Sequence, residues 1–197
     1  MKRVRHISLL TIASLLWCTA VIGQRLKYDV LLFGKKIGET IVEMKDSSGV
    51  RHYMLRSSTE VKMFFMDKKS NMATDVLYGK DGLMTSSTFH NIKEDGEIHT
   101  NATSDKGKLI VDKNGEKITI PNTVNYSSLL LYFSEPHNLQ KVFSERLGEF
   151  FDIIKEADGK YSAQTKSGSA VYTYAHGKLT EIEMKSTLGS VFMKLSN

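Results

Sequence analysis

Residues 108–121 read "KLIVDKNGEKITIP", and their pairing decides the fold. Asn114-Gly115 is the strongest short signal for a two-residue hairpin turn, because both central positions need positive φ. With the turn centred there, Lys113 faces Glu116, Asp112 faces Lys117, Val111 faces Ile118 and Leu109 faces Ile120. Opposite charges meet near the turn and apolar side chains meet further in. Each such cross-strand pair adds roughly a few tenths of a kcal/mol. The register is therefore specified at several points together.

Outward from this hairpin the same grammar repeats. Asp95-Gly96 reverses residues 90–103, Asp158-Gly159 reverses 150–165, and His176-Gly177 reverses 170–185. Residues 41–65 read as two strands joined through Asp46 to Gly49. In "YDVLLFGKKIGETIVEM", residues 28–44, Gly34 and Gly38 bracket a first turn with Lys35 and Lys36 at its tip. That loop is not a phosphate cradle, since the alternating "ETIVEM" follows where a helix is needed. The echo between "YGKDGLMTSS" and "YAHGKLTEIE" is explained by two hairpins obeying one set of turn rules. Short β-branched and aromatic runs at regular spacing predict a mainly β fold. The expectation is a single antiparallel β-roll or open β-barrel of about a dozen strands.

One segment departs from the pattern. Residues 122–150 carry Leu129, Leu130 and Phe133, then Leu139, Val142, Phe143 and Leu147. Spacings of three and four predict one or two short helices around 125–147, divided at Pro136 and capped by Asn125 or Ser127. They are expected to pack on, or plug, the curved sheet.

The N-terminus reads as a secretory signal peptide, residues 1–23. Lys2, Arg3 and Arg5 precede an apolar stretch from Ile7 to Trp17 that is too short to span a bilayer. Cleavage before Gln24 is expected rather than lipidation at Cys18, because bulky Trp17 precedes that cysteine. Setting aside residues 1–23 of 197 leaves 174, read as one domain, 24–197. The only Cys and the only Trp leave with the leader, so thiol catalysis, zinc–thiolate sites and iron–sulfur clusters are excluded. Three of the 27 Lys and Arg also leave, so 24 face 22 Asp and Glu. That near-balance argues against a nucleic-acid partner.

Candidate sites are few. His90 and His99 are expected on one strand face, paired with Asn101 and Ile92, as weak metal candidates; solvent-facing histidines are the preferred reading. No serine lies in a nucleophile elbow. Glu145, Glu149 and Asp152 read as a solvated face rather than paired catalytic carboxylates. Met63, Phe64, Phe65 and Met66 form an apolar tip between Lys62 and Lys68-Lys69. Such a tip suits lipid or cavity-mouth contact, and a buried strand end explains it as well. Leu130 and Phe133, within the apolar run 129–133, point to burial in a core or a cavity lid.

The signal peptide, "YDVLLFGKKIGE", "YMLRSSTEVKMFF", "YGKDGLMTSSTF" and "YTYAHGKLTEIEM" together resemble small exported proteins of Gram-negative, Bacteroidetes-type bacteria, classed as domains of unknown function. The resemblance implies a spiral β-roll or open barrel in the periplasm or outer envelope. A more distant likeness is to periplasmic lipoprotein carriers, whose half-open barrels close an apolar cavity with helices. It carries over no catalytic residue and no cofactor. The leading expectation is a non-enzymatic envelope protein that binds a lipid or acyl chain in the roll, with peripheral membrane contact. The alternative is a structural or interaction module with a filled core, contacting another envelope protein.

Overall fold

The structure is a computed structural model that describes residues 23–63, 66–93, 95–165, 168–186 and 189–196. The expected leader lies outside these, except Gly23, which opens the first strand. Fourteen strands run in chain order: β1 Gly23–Leu32, β2 Lys35–Ser47, β3 Val50–Met63, β4 Met66–Gly79, β5 Gly82–Ile92, β6 Gly96–Asp105, β7 Lys108–Lys113 and β8 Glu116–Ile120. After a 3-10 turn at Ser128–Tyr132 come β9 Lys141–Ser144, β10 Glu149–Ala157, β11 Lys160–Thr165, β12 Gly168–Ala175, β13 Lys178–Ser186 and β14 Gly189–Leu195. They form one open antiparallel sheet in the order 8-7-6-5-4-3-2-1-14-13-12-11-10-9. Sequence neighbours pair within β1–β8 and within β9–β14, β1 pairs with β14 to join the two runs, and β8 and β9 are the two edges.

Local turn chemistry produces this meander. The deciding hairpin forms in the expected register, with Asn114 and Gly115 at φ 51 and 89. The 158–159 and 176–177 turns also fall where the sequence places them. Two turns differ. The first reverses at Phe33-Gly34, so Lys35 to Gly38 already belong to β2. A bulge between Val30 and Leu31 takes up the offset. Gly38 serves close approach of the backbones instead of a turn: a Cβ there would lie 2.1 Å from Ser58 O. The second difference is between β5 and β6, where Ile92 pairs with Gly96 across a three-residue loop. Gly96, at φ 97, supplies the left-handed residue that ends such a loop. The register therefore moves, and His90 pairs with Ile98 while His99 pairs with Phe89.

The helical expectation is corrected in part. Leu129 and Leu131 are buried on the five-residue 3-10 turn, but residues 141–144 form a strand. Val142, Phe143 and Ser144 are all buried there, so β9 is covered on both faces. A doubly covered strand loses its alternation, and its apolar positions mimic helical spacing.

The open sheet rolls so that one edge lies inside the other end. Thr100 Oγ1 on β6 donates to Arg146 O in the β9–β10 turn at 2.9 Å. The chain arriving from β8 covers the β9 edge, with a parallel bridge between Ser127 and Phe143. Edge β9 is thereby blunted, as exposed edges must be to avoid intermolecular pairing. Residues 121–140 link the two edge strands and send Val124, Leu129 and Leu131 into the core. The core joins Tyr28, Leu55, Val76, Leu129, Leu131, Phe143, Leu179 and Ile182.

Candidate functional site

The interior is occupied by the chain itself. Leu131 is 0% exposed and Leu129 is 2% exposed, both within the core cluster. Leu130 and Phe133, the expected ligand contacts, are half-buried against the same core. Tyrosines from the sheet grip this segment, here called the plug. Tyr28 meets Tyr132 edge-on at 5.4 Å between ring centroids, and Tyr53 meets Phe133 at 5.2 Å. The plug has little regular structure, so its carbonyls need partners from elsewhere. Tyr174 Oη donates to Leu131 O at 2.8 Å, and Leu83 N donates to Val124 O at 2.8 Å.

A carboxylate anchors the plug's start. Glu145 is 1% exposed. It accepts hydrogen bonds from the Ser127 and Ser128 hydroxyls and from Leu129 N–H. The last of these satisfies an orphan amide at the beginning of the 3-10 turn, where Ser127's own side chain does not cap. Burial pushes the Glu145 pKa above the usual carboxylate range, opposed by the two serines and the backbone donors. The buried Tyr78 hydroxyl faces Ser127 and Glu145 without closing a hydrogen bond of good geometry. The sequence reading of Glu145 as part of a solvated face is thus overturned, while Asp152 is solvated and pairs with exposed Lys141 at 2.7 Å. A lone acid between Phe143 and Leu147 is the signal that identifies it. Sealed from solvent, this carboxylate organises structure and offers no surface to a substrate.

The other expected site residues do not converge. The shifted β5–β6 register puts His90 and His99 on opposite faces, not on one. His99 is exposed and stacks on Phe89, with centroids 4.9 Å apart. His90 faces inward, its Nε2 2.8 Å from Ser70 Oγ. Its pKa is lowered by burial and by Arg146, and its Nδ1 is buried without a partner. This serine–histidine pair, absent from the sequence reading, lacks the carboxylate that would orient the imidazole. No group of three His, Cys, Asp or Glu that could hold a metal occurs among the described residues. Phe64 and Phe65 lie outside the described residues; Met63 and Met66 pair as the last and first residues of β3 and β4.

On the outer face, small side chains at Ser58 and Ala73 leave a groove of about 310 Å³ across β2 to β5. Ile41 and Phe89 wall it, with Glu39 and Arg56 at the rim. Asp75 Oδ2 holds the Arg56 guanidinium at 2.7 Å. No helix among the described residues is long and apolar enough to cross a membrane.

No curated protein and no solved structure matches the chain. The chain belongs to the family described as Domain of unknown function (DUF6134), which matches it over residues 28–196.

Proposed function

We propose that this protein is an exported, non-enzymatic interaction module of the bacterial envelope. The supporting observation is the buried plug: Leu129 and Leu131 are sealed from solvent as part of the core cluster. An acyl chain taking the space of these leucines would have to displace the plug. Leaving would expose two fully buried leucines, each worth about 1.5–3 kcal/mol of burial. Function is then assigned to the outside of the roll. The groove walled by Ile41 and Phe89 offers an apolar anchor point inside a charged rim, the arrangement of a small protein-contact hot spot.

Export and envelope location rest on the leader sequence, and signal-peptide processing tests them directly. Mass spectrometry of the N-terminal peptide of the mature protein should show a start at Gln24, free or cyclised to pyroglutamate; an intact Met1 would contradict export by this route. Replacing Phe89, which is exposed at 36%, by Ser should leave the fold intact and abolish contact with an envelope partner. Cross-linking in intact cells reads this out. Identical cross-linked species from wild type and Phe89→Ser would sink the assignment of this face.

A further inference from the structure

We propose that Glu145 and Ser128 form a proton-dependent latch that holds the plug in the roll. The latch joins two parts of the chain that also meet at the bridge between Ser127 and Phe143. One is the plug, which has few backbone bonds to the sheet: Val124 O accepts from Leu83 N, Tyr126 O from Phe143 N, and Gln140 O from Ile153 N. The other is the rolled-in β9–β10 turn, which carries Glu145. Three donors from Ser127, Ser128 and Leu129 converge on that single side chain.

The network accommodates both protonation states, but unequally. An ionised carboxylate only accepts, and takes all three bonds. A neutral carboxyl protonated on Oε2 still accepts from Ser127 and Leu129 through Oε1. It donates to Ser128 Oγ, whose own proton turns away; Ser128 is half-buried and free to do so. The neutral form keeps every contact without a buried charge, whereas the ionised form puts a full charge in the core. Around it stand phenols: Tyr78 from β4, Tyr132 from the plug and Tyr172 from β12 feel its charge. Arg146, its neighbour in sequence, acts on His90.

The sign follows from the raised pKa. An acid that is harder to ionise in the fold stabilises the seated plug fully below the ordinary glutamate range. That contribution is lost as pH rises through the folded value. Loosening should therefore appear on the alkaline side and be confined to the plug.

Amide hydrogen exchange on the whole protein across pH tests this. Beyond the intrinsic base-catalysed rise, protection of residues 128–133 should fall by up to about tenfold per pH unit above the folded pKa. Amides of β1 to β4 should keep theirs. Glu145→Gln should remove the extra pH dependence, while Leu131→Ala should loosen the plug equally at every pH. In wild-type protein the ¹³C resonance of the Glu145 carboxyl should titrate with the same midpoint, which tests the latch even if a variant fails to fold. An unchanged pH slope in Glu145→Gln overturns the latch. So does a carboxyl that titrates apart from the plug, or loss of protection in plug and sheet together.

Discussion

Gly148, in the β9–β10 turn, lies against Val111 of β7: a Cβ on Gly148 would sit 2.8 Å from Val111 Cγ1. Strand β7 and the β9–β10 turn, near opposite edges of an open sheet, are thus in contact, which makes the sheet a roll rather than a flat meander. Gly148 also has φ 70, where side chains are strained. Gly148→Val should cost about 2–4 kcal/mol from strain and overpacking combined. Urea unfolding measures it, and a loss below about 0.5 kcal/mol, the range of an ordinary surface change, would mean that the edge is not tucked in.

The plug offers a paired test. Leu131→Ala removes a fully buried side chain and should cost about 2–5 kcal/mol. Leu130→Ala, half-buried one residue earlier, should cost less than half as much. Equal losses in thermal or urea unfolding would contradict the seating of the 3-10 turn.

At Glu145 the two obvious substitutions should separate. Glu145→Ala strips the acceptor from Ser127, Ser128 and Leu129 N–H, leaving buried donors that cost about 1–3 kcal/mol each when unsatisfied. Glu145→Gln keeps one acceptor oxygen and should be milder. Comparing their stabilities at pH 7 checks this, and a Gln variant as damaged as Ala would refute the acceptor role.

Zinc should find no shared site at His90 and His99, because adjacent-strand register sends them to opposite faces. Metal analysis after zinc loading should give well under one equivalent per chain. Stoichiometric zinc lost in His90→Ala would place both histidines differently.

Much of the fold was legible because turn chemistry is local. Asn114-Gly115, Asp158-Gly159 and His176-Gly177 fix their hairpins with residues that need no distant partner. Legibility failed where tertiary packing overrode local pattern. Gly38 resembles a turn glycine, yet the close approach of the β3 backbone at Ser58 and Thr59 explains it. Phe33 adopts φ 51 in the first turn, a conformation no propensity would assign to an aromatic residue. Val142 and Phe143 look helical because β9 is buried on both sides. The Glu145 cluster was hardest, since its meaning lies in serines 17 and 18 residues away. Only the path of the plug through the roll brings them together.

Whether the interior is filled by the chain itself can be read from native mass spectrometry of the protein purified without detergent from its own host. The expected result is the bare mass of the processed polypeptide, unchanged after delipidation. A stoichiometric lipid mass that delipidation removes would contradict it.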